Sequence, residues 1–385
     1  MKKKRKIIAI TGTRAEYGLS SSIFRAIENH PKLELGLIVT GMHLSPQFGY
    51  TIREIEKDRF KIVAKIKNIF QEDTGLAMTK SVGKCVLELA PILEKIKPDI
   101  LLVLTDLGHT LAGAIAGAYM NIPVAHLHGG DVSGSVDESV RHAITKLSHI
   151  HFPATKKSAE RIIKMGEEPW RVYTVGAPGL DSILSKKLLS QREIAKKYKL
   201  NLSKPILLVI QHPVTTEVED AALQMKETME AIKELGYQTI IIYPNADAGG
   251  RRMIKVIERY KKYPFIKIFK SIPRKDYLSL MKITNVMVGN SSSGIIESPS
   301  FHLPVINVGA RQIWRERADN VIDVDYNKNQ IKKAIKKALF EEKFKEKVKK
   351  CKNPYGGGKS GIRIANILSK IKINKKLLQK KLTYQ

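Results

Sequence analysis

At 385 residues with 43% apolar side chains, the chain exceeds one ordinary core, and two domains are expected. Its net charge of +30, from 67 basic and 37 acidic residues, is unevenly spread: lysines crowd the first six residues and the stretch 332–381. Such a balance fits either a lysine-rich surface or attraction to anionic partners such as sugar nucleotides, and no aromatic-studded basic stripe points to nucleic acid. The two cysteines, Cys85 and Cys351, stand far apart without metal-ligand spacing, which speaks against a disulfide framework and fits a reducing cytoplasm. The apolar run after the N-terminal lysines stops at Thr11-Gly12, too short for a secretory signal. Gly, Asn and Pro break the stretch 111–127, so no membrane span is expected.

Short apolar runs alternate with longer amphipathic segments, the pattern of a parallel α/β fold. Strands are expected at 7–11, 35–39, 100–104, 123–126, 149–152 and 172–175, with helices at 15–29, 76–95, 111–120, 137–147 and 158–165. A second set has strands at 206–210, 239–243, 266–269, 286–288 and 305–307, with helices at 217–234, 251–260 and 274–281. A Gly-rich loop at 355–359 precedes a final helix at 361–376. The expected division is therefore two Rossmann-like domains, 1–184 and 185–360, with a basic tail, 361–385, packing back on the first. A cleft would lie between the carboxyl ends of the two sheets, where such folds bind ligands.

Four strand-to-helix junctions carry chemistry. At Gly12-Thr13-Arg14, a tight turn and a helix start could meet a phosphate with backbone amides and the Arg14 fork; a plain turn with Thr13 as N-cap is the alternative. In His126-Leu-His128-Gly-Gly-Asp131, two consecutive glycines bring backbone close to a neighbour. The following helix has a structural account: Ser135 and Glu138 form a capping box, and Asp137 and Arg141 are spaced i,i+4. Asp106 would lie beside this loop if the two strands neighbour. Asp106, Asp131, Asp137 and His128 could then share a pocket with split pKa values. His126, His128 and Asp131 lack a second cluster to complete a metal site, and none is assigned. Pro213 holds His212 at a strand mouth, as an acid/base or a structural histidine. Asn290-Ser291-Ser292-Ser293-Gly294 suits a diphosphate, with Glu297 placed for a ribose diol or as a first-turn charge.

Together these stretches resemble the hydrolysing UDP-N-acetylglucosamine 2-epimerases of sialic-acid-type sugar biosynthesis. The residues carrying the resemblance are 12–17, 129–134, 137–147, 211–214, Pro244-Asn245-Ala-Asp247-Ala-Gly249, 289–294 with Glu297, and 304–312 with Arg311, in the family's order. The resemblance implies a glycosyltransferase-B-like fold, UDP mainly on the second domain, no cofactor, and a homodimer or homotetramer. A UDP-sugar would be the partner, with neither nucleic acid nor membrane involved. It implies elimination of UDP and hydration of a glycal. Arg14, Ser291, Ser292 and Glu297 would hold UDP. Ser293, Gly294, Asn245, Asp247, Arg311, His128 and Arg141 would complete the substrate site. Asp106 and Asp131 would do proton work, Asp137 would assist, and His212 would stabilise the departing phosphate or shuttle a proton.

The chain departs from the family where Thr105-Asp106-Leu107 replaces a common Gly-Asp-Arg, where His128 stands at a position often Glu, and where Asp131 replaces Glu. UDP-N-acetylglucosamine is the substrate implied. A diacetamido-trideoxy UDP-sugar of the legionaminic-acid route is the alternative, beside a glycosyltransferase of the same fold or a non-catalytic sugar-nucleotide-binding protein.

Overall fold

The structure, a computed structural model, describes residues 4–134, 136–185 and 188–383. The first half contains β1 (Arg5–Thr11), β2 (Leu33–Thr40), β3 (Ile62–Ile66), β4 (Ile100–Leu104), β5 (Val124–Leu127) and β6 (Ile150–Phe152). The second contains β7 (Ile206–Ile210), β8 (Gln238–Ile242), β9 (Ile266–Phe269), β10 (Val286–Gly289), β11 (Val305–Val308) and β12 (Val321–Val324). They form two parallel sheets in the orders β3-β2-β1-β4-β5-β6 and β12-β11-β10-β7-β8-β9. Each is a doubly wound Rossmann-like order, and together they make the glycosyltransferase-B-like arrangement. The order reverses between β1 and β4 in one sheet and between β7 and β10 in the other, so crevices open at those carboxyl ends.

β1 shows why the buried strands read as continuous apolar runs rather than alternating ones. Ile7 and Ala9 join Ile23, Phe24 and Ile27 of the helix Arg14–Glu28 in one core. Ile8 and Ile10 point through the other face to Cys85, Leu89 and Leu93 of the helix Gly75–Ile96. Both faces of a parallel sheet are covered by crossover helices, so both parities must be apolar.

The expected strand at 172–175 is absent. Val172 makes a single bridge to His151, after which Val175 donates to the Pro153 carbonyl and Ala177 to that of Tyr355. Tyr173 also donates to the His151 carbonyl, so the segment runs beside β6 with a single bridge and turns to the second half only at Ala177. The edge strands β3 and β12 were not expected; their partly exposed faces carry a mixed pattern. The lysine-rich stretch holds two helices, Lys328–Phe340 and Glu342–Lys350, that bury Ile331, Ile335, Phe344 and Val348.

The final helix ends early, at Ser360–Lys370, and a second turn follows at Lys375–Leu378. Ile364, Ala365, Leu368 and Leu377 share the first half's core with Ile23 and Ile27. Gly361 permits this crossing: a Cβ there would stand 2.8 Å from the Ser22 carbonyl oxygen. Ala154, Ala177 and Leu180 of the first half pack with Ile295, Ile296 and Tyr355 of the second. Among the described residues no helix is long and apolar enough to cross a membrane.

Candidate active site

The main cleft runs between the carboxyl ends of the two sheets. β4 and β5 are neighbours, with Leu104 opposite Leu127, so the loops bearing Asp106 and His128 emerge side by side. Both strands end in a left-handed non-glycine residue, Thr105 at φ 62° and His128 at φ 59°. Backbone of that kind persists only where its surroundings over-determine it. Part of that hold is His126, whose ring nitrogens are both engaged, one by the Thr145 hydroxyl at 3.2 Å and one by the Thr105 carbonyl at 2.7 Å. His126 thus ties the two loops together, which accounts for it without a ligand.

Arg141, 1% exposed, is the hub of this wall. Its guanidinium donates to the Asp106 carboxylate and, at 2.8 Å, to the Asp131 carbonyl. Burial pushes the Asp106 carboxyl up, but Arg141, Arg315 and Arg311 outweigh it and hold the group below the ordinary carboxylate range. The i,i+4 pairing expected of Asp137 and Arg141 is replaced by other hydrogen bonds: Asp137 accepts from Arg311 at 2.9 Å, across the cleft. Ser135, the expected partner in a capping box, lies outside the described residues; Glu138 accepts from the Ser133 amide at 2.7 Å.

The turn after β1 combines both readings made of it. Thr13 caps the helix by accepting from the Glu16 amide at 3.2 Å, while Arg14 lines the cleft. The Gly12 amide is taken by the Glu16 carboxylate at 2.7 Å, so this donor does not face the cleft.

On the opposite wall, Asn290 clamps His212 from both sides. Its side-chain oxygen accepts from the His212 amide at 2.7 Å, and its Nδ2 donates to the His212 carbonyl at 2.9 Å. His212 Nδ1 accepts from the Asn245 amide at 3.1 Å, which places the ring proton on Nε2. Burial and the Arg311 cation lower its pKa to about 3. This histidine is a neutral hydrogen-bond donor at working pH. Ser291, Ser292 and Ser293 line the cleft beside it, with the Ser293 hydroxyl bonded to Tyr277. Glu297 accepts from Arg274, and Arg14 lies over the Tyr277 ring at 5.9 Å from its centroid.

Of the residues singled out in the sequence, Arg14, Asp106, His128, Asp137, Arg141, His212, Asn245, Ser291, Ser292, Ser293, Glu297 and Arg311 line this cleft. Three do not. Asp131 lies behind the wall, in a depression shared with Ser158, Arg161, Arg315 and Tyr355. Gly294 packs under the turn, where a Cβ would meet Val305 at 3.1 Å. Asp247 accepts from the Asn245 side chain outside the lining, and burial together with the Asp137 charge pushes its pKa up to about 6. Arg274, Tyr277 and Arg315 are lining residues the sequence reading missed. Arg274 opens the expected helix 274–281 with no motif around it, and Arg315 is one of three arginines between 311 and 317, of which only Arg311 falls within the stretch that carries the resemblance.

Residues 25–369 match the family described as UDP-N-acetylglucosamine 2-epimerase. A Legionella pneumophila UDP-N,N'-diacetylbacillosamine 2-epimerase (hydrolyzing) is 41% identical over 98% of both chains. A Neisseria meningitidis UDP-N-acetylglucosamine 2-epimerase is 36% identical over 85% of both. Among solved structures, a Neisseria meningitidis UDP-GlcNAc 2-epimerase bound to UDP-GlcNAc superposes with a TM-score of 0.81 at 18% identity, covering 95% of this chain and 100% of that one. A Methanocaldococcus jannaschii UDP-GlcNAc 2-epimerase in complex with UDP-GlcNAc and UDP gives 0.78 at 23%, covering 94% and 99%. With the fold, the cleft and these likenesses in agreement, the chain belongs to the UDP-N-acetylglucosamine 2-epimerase family and is an enzyme of its hydrolysing branch.

Proposed function

We propose that the enzyme converts UDP-N,N'-diacetylbacillosamine and water into UDP and the free 2-epimer, 2,4-diacetamido-2,4,6-trideoxymannose. The observation that carries this reading is the two-sided cleft. One wall presents Asp106 and Asp137, held by arginines, and the other presents the serine turn with neutral His212. The C2 proton of such a sugar is barely acidic, so its removal must be coupled to departure of UDP from C1. Elimination forms a C1=C2 glycal. Water then adds at C1 while C2 is protonated on the other face. Arg14, Arg274, the serine hydroxyls and His212 Nε2–H are donors suited to the departing diphosphate. Asp106 and Asp137 suit activation of the attacking water.

Two considerations support the 4-acetamido-6-deoxy sugar over UDP-N-acetylglucosamine. The 41% likeness to the Legionella enzyme spans nearly the whole chain. The cleft also carries Leu107 directly beside Asp106, with Met42 and Phe48 on the same half. An apolar wall receives a C6 methyl well and penalises a C6 hydroxyl left without a partner.

The test compares both UDP-sugars in deuterated water without any acceptor, following UDP release and the proton NMR of the free sugar. The expected result is kcat/KM about 10–100-fold higher for the diacetamido sugar, with deuterium at C2 of the product. A preference for UDP-N-acetylglucosamine overturns the substrate assignment, and an unlabelled C2 overturns the proton route. Absence of UDP release from both leaves a transferase or a binding protein.

A further inference from the structure

His128 and Asp131 are the two acid–base residues of the β5 loop, and the structure gives them different positions. His128 is buried, 3% exposed, and lines the cleft. Its amide donates to the Phe152 carbonyl at 3.1 Å, which with its left-handed φ fixes the direction of the ring. Nδ1 stands 3.7 Å from Asp131 Oδ2, within ion-pair range. Nε2 is buried with no hydrogen-bond partner. Unpaired buried nitrogens are costly and call for an explanation.

Asp131 is built as a support. Its Oδ1 accepts from the Ser158 hydroxyl at 2.7 Å, its carbonyl accepts from Arg141, and Oδ2 is left for His128 and for Arg315 at 3.7 Å. Burial opposes its charge, but His128, Arg315 and Arg141 outweigh burial and keep the carboxyl well below the usual range. The cleft carboxylates differ, since Asp106 and Asp137 each accept from an arginine.

We propose that His128 is the catalytic base that takes the C2 proton and that Asp131 is its positioning residue, acting from behind the cleft wall. An ionised Asp131 holds the proton on Nδ1, which leaves the lone pair of the unpartnered Nε2 free on a residue that lines the cleft. This is the logic of a carboxylate-oriented imidazole base. In the step, Nε2 takes the proton from C2, the C2–H electron pair becomes the C1=C2 π bond, and the C1–O bond breaks with its pair leaving on UDP. The imidazolium so formed is stabilised by Asp131 and later releases its proton to water. The inference rests on the elimination chemistry of the proposed function.

Arg141 from the helix Val136–Leu147 and Arg315 from the second half act on the same Asp131 carboxylate as His128 does.

Four variants of the full-length enzyme test this, with UDP release and C2 deuterium uptake as readouts. His128→Gln should lose about 10²–10⁴-fold in kcat, with KM within threefold and the rate of C2 deuterium uptake falling with it. Asp131→Asn should lower kcat with little change in KM. His128→Glu should recover most of the rate, because its carboxylate is a base that needs no tautomer. In that background Asp131→Asn should cost less than threefold. The proposal is overturned by wild-type uptake in His128→Gln, or by equal damage from Asp131→Asn in both backgrounds, the mark of a purely structural aspartate. Nitrogen-15 NMR of the imidazole judges the pair without turnover: Nδ1–H in the wild type, lost in Asp131→Asn. Loss of the substrate reading alone leaves that spectrum unchanged, whereas an Nε2–H tautomer in the wild type defeats the dyad.

Discussion

Arg141 and Asp106 show what a buried charge pair does at the level of single residues. Arg141 donates from a position 1% exposed, so Asp106 meets a fixed guanidinium rather than water. Removing one partner of such a pair strands the other. Arg141→Met should therefore lower the unfolding free energy by about 3–5 kcal/mol and abolish turnover. Adding Asp106→Asn to it should recover part of the stability and none of the activity. Urea titration of the three proteins checks both, and simple additivity of the two losses would refute the coupling. Asp106 itself was legible, because an acid directly after an apolar run falls at a strand end. The partner was not: Arg141 has Asp137 at ideal helical spacing, and only the pairing of β4 with β5 brings Asp106 into competition for it. Arg274 and Arg315 were invisible for the same reason, since each owes its place to packing of distant segments.

Among elements, the loop 67–74 reaches from the first half to the second. Asp73 accepts from the Gly249 amide at 3.0 Å and the Arg252 amide at 3.2 Å, at the start of the helix Gly250–Glu258. Arg251 answers by donating to the Phe70 carbonyl at 2.8 Å. An aspartate at a helix N-terminus satisfies orphan amides and meets the positive end of the helix dipole. Here cap and helix belong to different halves, so the cap is also a latch. Asp73→Ala should remove about 1–2 kcal/mol from the docking of the two halves. The expected outcome is a KM for the sugar nucleotide raised about tenfold, for that free energy, and a larger radius of gyration by X-ray scattering. Unchanged scattering and KM would show that packing alone holds the halves. Most strands were legible because burial on both faces makes them short unbroken apolar runs, and β4, β7 and β9 fall on the expected bounds. β3 and β12 were not, since an edge strand needs only half of that pattern.

For the whole molecule, the charge of +30 sets how it meets acid. Three buried histidines are neutral parts of the fabric. Burial holds His43 and His126 at about 3 and His149 at about 4, against an ordinary 6.5. His43, for example, is hydrogen-bonded on both ring nitrogens, to Thr11 at 3.2 Å and Thr51 at 2.8 Å. Below pH 6.5 the unfolded chain takes up protons that the folded chain refuses, so stability must fall as pH falls. Each such histidine contributes a slope of about 1.4 kcal/mol per pH unit until its folded value is reached. Glu167 continues the trend lower down. Burial opposes its charge, but His151, Lys146 and Lys380 hold it near 2, so its contribution is lost as pH falls from about 4.5 toward 2. Every newly protonated side chain also adds to an excess of positive charge that already repels itself. Unfolding free energies by urea at half-unit steps from pH 7.5 to 4.5 should therefore be level at the top and descend below about 6.5. His126→Asn should reduce that slope by close to one proton, whatever it does to the absolute stability. A flat profile down to pH 5 would mean that these rings accept protons in the folded state, and that His126 is not the neutral tie between the β4 and β5 loops.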